Sequence, residues 1–292
     1  MNKPFFELKC GRTKPRTAVF MSGSGSNAEV LLNLAANGQL PGCDLAAVVT
    51  DNPEKSRSRE LAEKFNLPLV DLSIKEFYHS RNEKVSVATP AGRELRRQWT
   101  DELLAKLEKF DLDFGIFAGF VPLCSINEAF PCLNVHPGDL TVEDADGVRR
   151  LTGLHTIPIE RAILGGFTQL RSSVIVVQSL EAAGNNIDAG PILGVSEPLN
   201  IDFRGFPLEE LRVIAAHRPA KRPVGGWKDE LEALAAFNQE RLKYAGDHLV
   251  LPKTVAMFAA NRYSLDAEGN LYWDGQKIKT IEFFADGQMK LL

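Results

Sequence analysis

The stretch Leu133-Asn134-Val135-His136-Pro137 places an amide and an imidazole two residues apart at the end of a short apolar run. Side chains two apart share one face of a strand. Pro137 has no N–H to give, so it stops the ladder. Asn134 and His136 are therefore expected to project together from a strand's carboxyl end, where open α/β sheets hold their ligands. The amide can donate to a developing oxyanion, and the imidazole can donate to it or move a proton. Further on, Ile187-Asp188-Ala189-Gly190-Pro191 puts a carboxylate in a Gly/Pro-rich turn, as a partner to orient or charge that imidazole. From these residues alone two readings of Asn-x-His-Pro stay open: a functional site, or a hydrogen-bonded turn histidine.

The flanking runs alternate between strand and helix. Thr17-Ala18-Val19-Phe20-Met21 has the look of a strand buried on both faces. Ser22-Gly23-Ser24-Gly25-Ser26-Asn27 follows at once, and the next nine residues predict a helix ended near Gly38. Strand, Gly-rich loop and helix together aim backbone N–H groups at an anion. The same residues also make a plain tight turn, and both readings stand. Residues 45–50 and 68–72 predict two more strands around a helix over 56–65. This rhythm predicts an α/β fold, Rossmann-like, with a mainly parallel sheet flanked by helices.

Residues 73–90 lose period. Gly92 to Phe110 predicts a long helix with Leu95, Trp99, Leu103, Leu104 and Leu107 inward. Arg93, Arg96 and Arg97 lie on its first part, as a solvated basic face or, through Arg96, as a hold on a phosphate or carboxylate. Phe114–Ala118 is expected as a central strand, left by Gly119-Phe120-Val121-Pro122-Leu123-Cys124. After His136, the acidic stretch Glu143-Asp144-Ala145-Asp146-Gly147 precedes Arg149-Arg150. No Glu stands at the EF-hand offset, so a solvated loop turning at Asp146-Gly147 and more mobile than the sheet is expected. Residues 203–227 show no clear pattern, and His217, Arg218, Lys221 and Arg222 are read as a basic loop facing water or, alternatively, as a replacement anion contact or a partner surface. Helices follow over 228–244 and 249–260, then a hairpin with Asp274-Gly275 at its turn. The reading divides the chain into a surface extension over 1–15, a catalytic domain over 16–200, and a small C-terminal helix and hairpin elaboration of the same domain over 201–292.

Five separated stretches, Ser22 to Asn27, Ala118-Gly119-Phe120, Asn134 to Pro137, Gly153-Leu154-His155-Thr156 and Ile187 to Pro191, resemble in this order the folate-dependent formyltransferases. The Ser-Gly-x-Gly-Ser-Asn loop is similar to that of the phosphoribosylglycinamide branch of the family. The resemblance implies transfer of a formyl group from 10-formyltetrahydrofolate, as co-substrate, to a primary amine, and most specifically to glycinamide ribonucleotide in purine synthesis. It implies Asn134, His136 and Asp188 as the catalytic set. Gly25, Ser26 and Asn27, with Arg96, are expected around a substrate phosphate. Phe120, Val121, Leu123, Cys124 and Ile187 are expected along a folate pocket, and no metal is expected. His155 is expected either to line the site or to hold a structural bond. Four departures stand against the branch: Pro122 at a usually basic position, Gly138-Asp139-Leu140-Thr141 for Ser-Leu-Leu-Pro, Ile175 for a histidine, and Glu197 for a basic phosphate contact. They keep two alternatives: transfer to another amine, such as an amino sugar or other nucleotide, or a non-catalytic folate- or nucleotide-binding relative. A formyltetrahydrofolate hydrolase is less expected, because no regulatory domain precedes residue 16.

Composition narrows the class. At 292 residues, 44% hydrophobic and 25% charged, the chain reads as an ordinary soluble globular protein. Lys and Arg number 34 against 38 Asp and Glu, a net charge of −4, so there is no bulk cationic signal for nucleic acid or anionic membrane. Cys10, Cys43, Cys124 and Cys132 have neither C-x-x-C nor metal spacing, and Cys124 and Cys132 are expected to pack as small apolar residues. No apolar run approaches the roughly 18 residues of a membrane span, and no signal peptide is visible. The expectation is a cytoplasmic enzyme, monomer or homodimer, working on small molecules with neither nucleic acid nor membrane as partner.

Overall fold

The strand Arg16–Met21 is buried at every position after its first. Such a strand has neighbours on both edges and cover on both faces. The computed structural model, which describes residues 2–40, 42–178 and 188–292, supplies both. The chain divides into two compact units, one of residues 1–135, 175–191 and 252–279, the other of residues 136–174, 192–251 and 280–292. The fold is α/β, with a mostly parallel sheet flanked by helices, as the alternating runs predict.

In the first unit Arg16–Met21 pairs in parallel with Asp44–Thr50 on one side and Phe114–Phe117 on the other. Leu69–Asp71 extends the run beyond Asp44–Thr50, and Cys132–His136 pairs in parallel with Phe114–Phe117. Phe117 lies opposite Asn134 in that register. The helix Pro90–Leu107 begins with Thr89 as N-cap, its hydroxyl accepting from the Gly92 amide at 3.0 Å, and with Pro90 in the first turn. Its inward stripe buries Trp99, Leu103 and Leu107. Trp99 is fully buried and its indole donates to the Leu72 carbonyl at 3.1 Å. Trp99→Ala should cost about 3–5 kcal/mol.

One expectation needs correction here. Residues 73–90 hold a short helix, Ile74–His79, whose Ser73 hydroxyl accepts from the Glu76 amide at 3.2 Å. Ser-x-x-Glu is a helix-start signature, so the signal was present but lay in a cap rather than in a period. The N-terminal segment is exposed at most positions but is tied down at two points. Lys3–Pro4 pairs antiparallel with Tyr263–Leu265, and Phe6 is buried, with its ring 5.6 Å from Phe114 and 5.5 Å from Phe258. Two adjacent phenylalanines bring too much apolar area to leave in water. The hairpin Leu271–Trp273 with Gln276–Ile278 forms as expected, with Asp274 and Gly275 both at positive φ, 47° and 81°.

In the second unit, Ile192–Ser196 and Ile281–Phe283 pair in parallel, and Met289–Leu291 closes antiparallel on the latter. Helices Ile157–Leu164, Leu208–Ala216 and Glu230–Leu242 enclose a core of Leu151, Ile159, Ile163, Leu211, Leu231 and Leu234. The helix Leu208–Ala216 lies within the stretch that shows no clear pattern. Glu209 and Glu210 in its first turn suit the helix dipole, but the prolines and glycines after it hide the short period. Nor do its following arginines simply face water. Arg218 forks onto Asp229 at 2.7 Å through Nε and Nη2, reaches Glu160 through Nη1, and lies over the Trp227 ring. Arg222 pairs with Glu232.

Candidate active site

The loops that leave the parallel strands of the first unit are tied at one residue. Ser22 donates its hydroxyl to Asp51 at 2.5 Å and accepts from the Val121 amide at 2.9 Å. Its amide donates to the Gly119 carbonyl at 3.1 Å, and its carbonyl accepts from the Asn52 side chain at 3.1 Å. Three loops, beginning at residues 22, 51 and 119, are therefore held by one buried serine. Burial pushes the Asp51 carboxyl above its usual range, and the Ser22 hydroxyl and, more weakly, the Arg96 charge pull it back. Sequence reading missed Asp51, whose only signal is its place directly after a strand.

Gly25 takes φ 67° as the N-cap of the helix Ser26–Ala36. A Cβ there would stand 2.5 Å from the Met21 methyl and 2.9 Å from Leu61, so only glycine fits this turn. Ser26 and Asn27 are the first two residues of that helix. Arg57 closes the loop from outside. Its amide donates to the Gly23 carbonyl at 3.1 Å and its guanidinium to the Ser24 carbonyl at 3.2 Å. Glu29, in the first turn, would repel an anion. The Lys64 ammonium and the Arg57 guanidinium neutralise it and hold its carboxyl below the usual range.

Arg96, a candidate phosphate contact, is buried, donates to the Leu123 carbonyl at 2.6 Å and lies over the Tyr78 ring. Among the described residues its Nε has no hydrogen-bond partner. This places it behind the 119–124 loop as a brace. In that loop Phe120 is a core residue, its ring 5.0 Å from Phe117 and 6.4 Å from Trp99. Cys124 is buried too, its thiol pushed up to about 12 by burial, and it packs with Cys132 in the same core cluster. Val121 is exposed and Leu123 half-buried, so these two present surface. Ile187 lies outside the described residues.

Asn134 is the half-buried member of an otherwise buried strand, Cys132–His136. Beside it, the Val177 amide donates to the Cys132 carbonyl at 2.8 Å, and the Val176 amide to the Pro191 carbonyl at 3.0 Å. The second bond ties the 188–191 turn, in which Asp188 is buried, to Val176. A Cβ on Gly190 would lie 1.7 Å from the Val176 carbonyl oxygen, so the turn demands glycine.

In the second unit, His136 is buried, and its Nε2 lies 2.8 Å from the Leu151 carbonyl. A carbonyl only accepts, so Nε2 carries a hydrogen in this contact. His155 is exposed, with φ 56°. Among the described residues no group of His, Cys, Asp and Glu could hold a metal, and no helix is long and apolar enough to cross a membrane.

The sequence pattern of the formyl transferases matches residues 15–198, a span holding every candidate site residue above. The chain belongs to the formyl transferase family. Solved structures of the same fold include the phosphoribosylglycinamide formyltransferases of Coxiella burnetii and Anaplasma phagocytophilum. Both are 19% identical with TM-scores of 0.58; they cover 91% and 94% of this formyl transferase, and 96% and 100% of their own chains. A formyltetrahydrofolate deformylase from Pseudomonas syringae is 15% identical with a TM-score of 0.58, over 89% of this chain and 66% of its own. At these identities the likeness is one of fold. No curated protein matches the sequence.

Proposed function

We propose that this formyl transferase moves the formyl group of 10-formyltetrahydrofolate onto a primary amine, with glycinamide ribonucleotide as the acceptor. The observation that carries the reading is the strand Cys132–His136, which ends in an amide and a buried imidazole whose Nε2 lies 2.8 Å from the Leu151 carbonyl. The buried Asp188, in a turn tied to Val176 through the Pro191 carbonyl, supports it.

The acceptor amine attacks the formyl carbon, and the carbonyl oxygen becomes anionic. Asn134 donates its amide N–H to that oxygen, a contact of a kind worth about 2.7–4 kcal/mol in the barrier. His136 takes the proton the amine loses and returns it to the departing folate nitrogen as the old C–N bond breaks. Asp188 orients this exchange. The products are the formylated amine and tetrahydrofolate, with no net proton change. Gly25, Ser26 and Asn27 present helix N-terminal N–H groups to the acceptor's phosphate, and Arg57 holds the loop in shape. Val121 and Leu123 offer the apolar wall for the folate. Arg96 supports that wall from behind.

The test is product analysis with isotopically labelled 10-formyltetrahydrofolate and a panel of amines, glycinamide ribonucleotide and amino sugars among them. Label on glycinamide ribonucleotide supports the reading. Label on a different amine corrects the acceptor. Label released only as formate makes water the acceptor, and no turnover leaves a binding protein.

A further inference from the structure

The strand Cys132–His136 loses its ladder at Pro137, so the backbone groups just beyond it need other partners. One side chain supplies two of them. The Ser173 hydroxyl donates to the Gly138 carbonyl at 2.7 Å and accepts from the Leu140 amide at 3.0 Å. Ser173 and Leu140 are fully buried. A buried hydroxyl is costly unless it is bonded, and this one is used in both senses. Arg171 ties the same loop a second time. Its guanidinium lies 3.6 Å from Asp139 and 2.7 Å from the buried Glu282, and Asp139 accepts from the Thr141 amide at 3.0 Å. Beyond Leu140 the acidic stretch is a hairpin that turns at Gly147, with φ 76°. Val142 and Arg150 are joined by a hydrogen bond of 2.9 Å, and so are Asp144 and Val148. The hairpin returns Leu151 to the core with Ile159 and Ile163. Gly138 lies between that return and the imidazole. A Cβ on it would stand 2.6 Å from the Leu151 oxygen, 2.9 Å from His136 Nε2 and 3.0 Å from Pro158.

We propose that Ser173 is a positioning residue for formyl transfer, acting on His136 through Gly138. The effect on rate rests on the function proposed above; the seating of the ring does not. Gly138 packs without slack against the imidazole, so its placement sets where the ring can stand. Ser173 fixes that placement at two backbone groups two residues apart. Removing the hydroxyl leaves a buried carbonyl and a buried amide each short of a partner. The segment from Gly138 to Leu140 shifts to recover them, and the ring shifts with it. Arg171 still holds Asp139, and Leu140 still sits in the core, so the loop adjusts locally rather than unfolding.

The test uses the full chain with Ser173→Ala and with Ser173→Thr, which keeps the hydroxyl. The readings are the carbon-bound ring protons of His136 by NMR, assigned with His136→Gln, exchange of the Leu140 amide, and steady-state kinetics. In Ser173→Ala the His136 ring signals are expected to shift or split, and Leu140 exchange to quicken. Its kcat should fall by roughly ten- to a hundredfold, with KM for the folate unchanged. Ser173→Thr should recover most of the rate. If Ser173→Ala does not fold, Ser173→Cys, close in size with a weaker donor, carries the same readings. Failure of both to fold overturns the proposal, because the hydroxyl then supports the fold and not the ring. Unmoved ring signals in a folded variant, or a loss confined to KM, overturn it as well. Ring signals that move in a protein that transfers no formyl group uphold the positioning and refute the function.

Discussion

Ser22 and Asp51 share a buried hydrogen bond of 2.5 Å, and the same hydroxyl takes the Val121 amide. One side chain thereby joins the loop proposed to meet the acceptor to the loop proposed to meet the folate. Ser22→Ala leaves the Val121 N–H and the Asp51 carboxylate each short of a partner. It should lower stability by about 1–3 kcal/mol in urea unfolding. Hydrogen exchange should quicken at the Val121 amide. An unchanged Val121 exchange rate would show that the hydroxyl is not what holds the 119–124 loop.

The Asp51 carboxyl sits above its usual range because it is buried. A raised acid binds its proton more tightly in the native state than in the unfolded chain. Its stabilising contribution is full below the unfolded value and is lost as pH rises through the folded one. Asp51→Asn removes this penalty. Unfolding free energies should therefore favour Asp51→Asn more at neutral pH than at pH values below the raised titration. A difference between variant and wild type that does not vary with pH would contradict the burial argument.

Gly190→Ala should damage turnover more than stability. Its Cβ cannot stand 1.7 Å from the Val176 oxygen, so the turn bearing Asp188 must move. A misplacement of about 1 Å at a reacting group costs roughly a hundredfold. Steady-state kinetics should show the loss in kcat with little change in KM for either substrate. A loss confined to KM would place Asp188 in binding instead.

Arg218 is the half-hidden charge most worth removing. It pairs with Glu160, whose other oxygen accepts from Thr156 at 2.8 Å, and with the N-cap Asp229. Arg218→Ala strands a buried carboxylate and should cost about 3–5 kcal/mol. Glu160→Gln in the same background should recover part of that. Thermal unfolding of the single and double variants measures both, and additive losses would mean the two side chains stand apart.

The sheet and its long helices were legible because their signals are local. Thr17–Met21, Phe114–Ala118 and the Trp99 stripe each carry a complete period in their own residues. Asn134 and His136 were legible for the same reason, two positions on one strand followed by a proline. The helix Ile74–His79 escaped because its evidence is a cap at Ser73, and Leu208–Ala216 because the prolines and glycines after it mask the pattern. Phe6 found its place only through Phe114 and Phe258, far away in sequence. The Leu151 carbonyl could not be found at all, since every residue has one and only the folded hairpin selects it. Arg96 read as an anion contact because charge is visible in sequence, whereas the carbonyl it braces is not.

The central claim is that Asn134, His136 and Asp188 act as one unit in formyl transfer. The most direct measurement is a double-mutant cycle on 10-formyltetrahydrofolate turnover with Asp188→Asn, His136→Ala and both together. Each single variant should bind folate nearly as the wild type does and lose roughly a hundredfold or more in rate. The double variant should lose little beyond either single. Near-wild-type turnover in Asp188→Asn, or losses that multiply fully in the double variant, would contradict the account.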